Sequence, residues 1–409
     1  MPDELICEAL NRRIPPLPAH DDPDYWGKIR EQFPMPPDEA YCNTGTIGAS
    51  PLRVLHTVVG HAVTSMVEVA HVDWTGGGMS LLSGYSPDTE LRTKIGELIN
   101  ARPTLVALPQ NATMGMNLIA NGLDLPPGSE VLITDIEYPG CRCGWELLAE
   151  RRGTTLREAE IPLPVEDPER IVEAFEEAIK PETRVMSFPH ISSEQGITLP
   201  TERLYSLARE RGIISVIDGA QATGHIPIDV REIGCDAYYS SPHKWLMAPA
   251  GNGFLYVKET LIDDVWTTLA STQWNNHEDN GYRLGQRGTG NPALLKGFEA
   301  ALDLHFEIGP ERVYGRIKEL GDQLRRGLSL MGGVEMITPS HPEMSSGLTT
   351  FKVDGIEGKA IQDELRRRGK IQPRALRENR GVRYSTHIYN SEHEIDRTLQ
   401  IIGDMARNI

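Results

Sequence analysis

VIDGAQATGHIPIDVREIGCDAYYSSPHKWLMAPAGNGFLYV, residues 216–257, is the stretch on which the reading of the fold turns. Asp218 closes an apolar run over 213–217, and a second run over 237–240 leads into Ser241-Pro-His-Lys244. Both runs are apolar on consecutive positions, the pattern of strands covered by helices on both faces. In open α/β sheets, ligands sit beyond the carboxyl ends of the strands. Asp218 and Lys244 each follow such an end, so a carboxylate and an amine are predicted to reach one crevice.

Working outward, further apolar runs occur at 105–108, 131–134 and 185–188. Between them the stretches 145–152, 171–179 and 203–211 carry helix formers with apolar residues three and four apart, as covering helices do. The alternation predicts an α/β fold with a mostly parallel, doubly wound sheet over residues 41–305. After a helix-like stretch at 293–306 the order changes. A helix over 310–331, strands at 334–337 and 348–353, a helix over 359–368, a strand at 382–385 and a final helix predict a smaller α+β domain over 306–409. Ser391 and Glu394 have the spacing of a capping box, which sets the start of that last helix. Residues 1–40 are rich in Pro and Asp and read as an N-terminal arm, and 52–69 is helix-compatible. No internal repeat or low-complexity segment interrupts this plan.

The 409 residues include 41 Lys+Arg and 58 Asp+Glu, a formal charge of −17. Binding along a nucleic acid backbone or to a membrane surface needs clustered basic groups, so neither partner is expected. No run approaches the length of a membrane helix, and the N-terminus lacks the apolar core of a secretory signal. Five scattered cysteines (Cys7, Cys42, Cys141, Cys143, Cys235) read as free thiols. A soluble, cytoplasmic protein is the expectation.

An aspartate and a lysine converging on one crevice suit pyridoxal phosphate: the lysine forms the Schiff base and the aspartate holds the pyridine nitrogen protonated. Ser241-x-His-Lys244, the Pro/Gly-rich segment after it and the apolar strand that follows resemble the class V aminotransferase family of fold type I. That family includes cysteine desulfurases, isopenicillin N epimerases and C–S lyases. Matching features run from about Tyr41 to the C-terminus.

The resemblance implies a role for each matching residue. Lys244 is similar to the Schiff-base lysine, with Ser241 and His243 as phosphate ligands. Asp218 partners the pyridine nitrogen, and Gln221 resembles the donor to the cofactor's phenolic oxygen. Asn111-Ala-Thr-Met-Gly-Met-Asn117 opens a helix whose N-terminal amides form an anion site, which assigns Ala112 and Thr113 to the phosphate. Tyr138 matches the ring stacked on the cofactor; desulfurases have histidine there, and the epimerase-like branch has tyrosine. Ser193 stands where desulfurases carry an asparagine. Thr289, in Arg287-Gly-Thr-Gly-Asn291, resembles a threonine donated to the neighbouring subunit's phosphate, which implies a homodimer with sites at the subunit interface. Arg383, in Arg383-Tyr-Ser-Thr-His-Ile-Tyr-Asn390, resembles the arginine that forks onto a substrate carboxylate. Asn43, within Asn43 to Gly48, resembles an active-site lip, and Arg374 lies where some relatives have a site arginine. No cysteine follows Cys235, whereas desulfurases carry their sulfur-accepting cysteine on a loop ahead of the arginine.

These features imply an enzyme acting at Cα of an amino acid, with C–S β-elimination or epimerisation of a modified or conjugated amino acid ahead of transamination. A non-catalytic binding subunit of the same fold is the reading from another class, and the intact Lys244, Asp218 and Gln221 speak against it. No metal is expected: Cys141-x-Cys143 lacks the two-residue gap of a zinc knuckle and has no paired Cys/His set. Gly45-Thr-Ile-Gly48 and Gly76-Gly-Gly78 lack the dinucleotide pattern, and the triple glycine reads as a mobile loop.

Overall fold

The computed structural model describes residues 8–73, 75, 78 and 85–407. Cys7 and most of Gly76-Gly-Gly78 lie outside them. Strand β1 (Ala40–Tyr41) follows the N-terminal segment. Strands β2 (Val106–Ala107), β3 (Glu130–Thr134), β4 (Thr155–Ala159), β5 (Thr183–Pro189), β6 (Ile214–Asp218), β7 (Ala237–Ser240) and β8 (Phe254–Val257) build a seven-stranded sheet in the order β2-β8-β7-β6-β5-β3-β4. From β7 to β4 the neighbours are parallel, and β8 runs antiparallel to both β7 and β2. The predicted doubly wound α/β sheet is therefore present. Every residue of β3, β6 to β8 apart from half-buried Ile214 is buried, as consecutive apolar runs under two helical layers require. Edge strand β4 escaped the sequence reading because Arg157 and Glu158 are exposed and only Ala159 is buried.

The C-terminal strands are β9 (Val334–Met336), β10 (Leu348–Val353), β11 (Ile371–Gln372), β12 (Arg374–Ala375) and β13 (Val382–Ser385). Four of them form an antiparallel sheet in the order β12-β13-β10-β9, while β11 pairs in parallel with β1. The last helix, Glu392–Arg407, starts at the predicted capping box: Glu394 N–H donates to Ser391 Oγ at 3.3 Å and Ser391 N–H to Glu394 Oε2 at 3.2 Å.

Two apolar clusters organise the packing. The larger lies on both faces of the seven-stranded sheet and includes Tyr25, Ile29 and Phe33 from the N-terminal segment. The smaller gathers Phe351, Leu365, Tyr384 and Ile402 and also takes Ala40 and Cys42. The helix Pro310–Ser329 serves both, with Val313 and Ile317 in the first cluster and Leu320, Leu324 and Leu328 in the second. One continuous helix thus ties the C-terminal sheet to the large one, and the crevice between them is where the carboxyl ends of β6 and β7 open.

Candidate active site

At the end of β6 the Asp218 carboxylate is 5% exposed. Its Oδ1 accepts from the Ala220 amide at 2.8 Å, and its Oδ2 accepts from the Cys141 thiol at 2.9 Å. Cys141 belongs to the helix Pro139–Arg152, which begins at Tyr138. One turn before it, Glu137 completes a trio whose donor atoms all lie within 4.8 Å of one another. Burial, then the charge of Asp218, pushes the Glu137 carboxyl well above its ordinary range. Its Oε1 accepts from Tyr138 N–H at 2.9 Å and its Oε2 has no partner. The cysteine thiol is likewise pushed up by burial and by Asp218. The trio therefore sets Asp218 beside two groups whose charged forms burial disfavours.

Twenty-six residues on, the turn after β7 carries Ser241, His243 and Lys244. Ser241 Oγ accepts from the Ala112 amide at 2.8 Å, which docks this turn on the N-terminus of the helix Ala112–Gly122. Asn111 caps that helix through Met114 N–H, and the Thr113 amide has no partner among the described residues. Gly253 is required here, since a Cβ would lie 2.7 Å from the Asn111 backbone. Burial, then the charge of Lys244, lowers the His243 imidazole to about 4, so it is neutral, and its buried Nδ1 has no partner. Lys244 makes no hydrogen bond or ion pair through Nζ among the described residues, and this atom lies 5.7 Å from the Tyr138 ring centroid. Burial leads in lowering its pKa; Asp218 opposes, while Arg383 and Arg374 add to the fall. The loop from Asn43 to Gly48 closes over the turn: Gly48 N–H donates to the His243 carbonyl at 2.8 Å, and a Cβ at Gly48 would sit 2.1 Å from the Lys244 carbonyl oxygen.

The opposite end of the crevice is cationic. Arg383, on β13, is fully buried. Its NH1 donates to the Ser193 carbonyl at 2.8 Å, and its NH2 to Asn43 Oδ1 at 3.1 Å and Thr46 Oγ1 at 2.8 Å. Its Nε is buried without a partner. Burial, then the charge of Arg374, brings Arg383 down to about 9, so it stays charged at neutral pH. Arg374 NH1 donates to the same Thr46 hydroxyl at 3.1 Å. Gln221 links the two ends, with Nε2 donating to the Gly45 carbonyl at 2.8 Å and to Ser193 Oγ at 3.3 Å.

Asp218, Gln221, Ser241, His243, Lys244, Ala112, Thr113, Tyr138, Ser193, Asn43, Arg374 and Arg383 thus gather around one crevice. Thr289 does not: it is exposed in the loop before the helix Pro292–Ile308, and among the described residues no hydrogen bond or ion pair joins it to the others. Sequence reasoning missed Cys141, Glu137, Thr46 and Trp245. Trp245 Nε1 donates to Gln221 Oε1 at 2.8 Å, which fixes which end of the Gln221 amide faces the crevice. Its ring stacks on His225 at 3.5 Å between centroids, and His225 in turn bonds the Gln221 carbonyl and the Gly347 amide. The only signal for Trp245 was its place next to Lys244. Cys141 and Glu137 gave none, because their link to Asp218 crosses 77 residues in the case of the thiol.

Comparison with known proteins supplies the context for this geometry. The sequence model of the family described as "Aminotransferase class-V" matches residues 87–398. An isopenicillin N epimerase of Amycolatopsis lactamdurans is 32% identical over 93% of this chain and 99% of that protein. A probable cysteine desulfurase of Methanothermobacter thermautotrophicus is 27% identical over 93% and 97%. Among solved structures, the cystine C–S lyase C-DES in complex with its reaction product cysteine persulfide superposes with a TM-score of 0.80 at 26% identity, covering 91% of this chain and 99% of that one.

Proposed function

The chain belongs to the class-V aminotransferase family, a family of pyridoxal-phosphate enzymes, and from that premise we propose that it removes and returns a proton at Cα of an amino acid. The observation that carries the reading is the pairing of an unbonded, partly shielded Lys244 amine with a fully buried Arg383 that has no carboxylate partner among the described residues.

The residues present fit the cofactor. Unpartnered His243 Nδ1, the Thr113 amide and the Ser241 hydroxyl at a helix N-terminus suit its phosphate. The Tyr138 ring suits an aromatic face, the Asp218 carboxyl group suits a protonated ring nitrogen, and Gln221 Nε2, once it gives up its long 3.3 Å bond to Ser193 Oγ, suits the phenolic oxygen. Once bound, pyridoxal phosphate supplies an electron sink that makes the Cα–H of an attached amino acid acidic. The chain's own residues do the rest. Arg383 grips the α-carboxylate with its planar guanidinium, fixing Cα beside Lys244. Lys244, its charge disfavoured by burial and by two guanidiniums, acts as the general base at Cα.

Epimerisation is the outcome we favour, supported by the full-length likeness to an epimerase and by Tyr138, where desulfurases have histidine. β-Elimination from an S-substituted amino acid is the second reading, supported by the likeness to the cystine lyase. Persulfide relay is not proposed, because no cysteine follows Cys235. A homodimer is part of the proposal, supported by exposed Val63, Met66 and Val67 on the helix Leu52–Val67 and by Thr289, which stands apart from its own chain's crevice. Incubation with amino acids and S-conjugated cysteines in heavy water tests the reading. Deuterium at Cα with inverted chirality identifies the epimerase, and pyruvate with a free thiol identifies the lyase. No deuterium and no product from any of them would sink the proposal, with Lys244→Ala as the blank.

A further inference from the structure

We propose that Arg374 holds a second acidic group of the substrate, so that the site selects amino acids bearing a carboxylate or similar anion remote from Cα. This rests on the reading that Arg383 takes the α-carboxylate. Strands β12 and β13 are antiparallel and bring Arg374 directly opposite Arg383. Like charges in that position oppose sheet formation.

What the two guanidiniums share is a single neutral hydroxyl. Thr46 Oγ1 receives Arg383 at 2.8 Å and Arg374 at 3.1 Å while donating its own hydrogen to Asn43 Oδ1 at 2.8 Å, so its capacity is used up. Neither arginine has an ion pair among the described residues. Glu194, the acid next to Ser193, is already taken by Arg380 at 2.6 Å. One α-carboxylate neutralises Arg383 and leaves the charge of Arg374 unmatched. Arg374 is half-buried where Arg383 is fully buried, which puts it nearer the mouth, on the path of a substrate side chain. The neighbouring exposed Thr46 and half-buried Asn43 leave room for a chain to leave the crevice there.

The test is calorimetric titration of the holoenzyme with two unreactive acids of equal length, glutarate and pentanoate. Glutarate is expected to bind about ten-fold or more tightly than pentanoate. Arg374→Met erases that difference and leaves pentanoate within about two-fold of the parent; Arg374→Gln repeats the result if the first variant folds poorly. Equal affinities in the parent protein overturn the proposal, and so does an Arg374→Met variant that weakens both acids by one factor, since the two arginines then share one carboxylate. Arg383→Met weakens both acids; if it weakens neither, the α-carboxylate reading fails on its own.

Discussion

The two ends of the crevice face the same problem and solve it differently. At the end of β6, two carboxyl groups lie side by side, and the repulsion is met within the pair: burial and the neighbouring Asp218 push the Glu137 carboxyl well above its ordinary range. Across the crevice two guanidiniums stand opposite each other on paired strands, and their repulsion is not settled, because arginine does not give up its proton at neutral pH. A carboxyl pair can adjust its protonation to its surroundings, whereas an arginine pair waits for an anion. In the proposed reading the first end meets the cofactor's ring nitrogen and the second meets the substrate's carboxylate.

The comparison can be broken most severely at Asp218. Asp218→Asn removes the carboxylate proposed to face the cofactor's ring nitrogen, and we expect cofactor affinity to fall by over about a hundred-fold, as for breaking a buried ion pair, measured by cofactor dissociation. At the other end Arg383→Met should lower kcat/KM by about ten- to a hundred-fold, carried mainly by KM, because charge-assisted hydrogen bonds to the substrate are lost. The same variant removes a cation that depresses Lys244, so the Lys244 titration, read from the pH dependence of amine modification in the apoprotein, should move upward. A downward movement would contradict the electrostatic picture.

Burial favours the neutral form beneath the site as well. His190 and His387 are lowered to about 4 and His225 and His305 to about 3, each from an ordinary value of 6.5 and each chiefly by burial. The unfolded chain takes up these protons near pH 6.5 while the folded chain refuses them. Stability is therefore full above pH 6.5, falls as pH drops toward 4, and each imidazole contributes up to about 1.4 kcal/mol per pH unit in that window. Urea midpoints at pH 7 and pH 5 measure the slope, and equal midpoints would refute it.

Two gentler changes sharpen the contrast. Trp245→Phe keeps the stack on His225 but deletes the donor to Gln221, for a loss of about 1 kcal/mol or a three- to ten-fold weaker cofactor, with the bound cofactor's absorption spectrum altered as the amide turns over. Glu137→Gln should do least, within about two-fold in cofactor affinity, because an amide replaces a carboxyl group whose charged form burial and Asp218 already disfavour. A large effect of Glu137→Gln would mean that the acidic end is not settled as described.

Much of the fold was legible in the chain, for a local reason. Strands β3, β5, β6 and β7 announce themselves as apolar runs because both of their faces are covered, and Ser391 and Glu394 specify their cap within one turn. Edge strand β4 was illegible because an exposed strand need not be apolar. The same division runs through the site. Asp218 and Lys244 could be picked out because each follows the end of an apolar run, and Arg383 because its segment resembles an element of the class V family. Cys141, Glu137 and Thr46 could not, since a thiol, a carboxyl group and a hydroxyl mean little until the chain brings another group to them.

By itself, then, the sequence determined the doubly wound sheet, the site of its opening and the residues able to bind an anion or donate an amine, because periodicity and strand-end chemistry are properties of neighbours in the chain. Only the tertiary structure decided which charges persist. The raised Glu137, the depressed Lys244, the orientation of Gln221 and the unrelieved pairing of Arg374 with Arg383 all depend on burial and on contacts that neighbours in the chain do not make. Electrostatic free energy depends on distance and solvent access rather than on order along the chain.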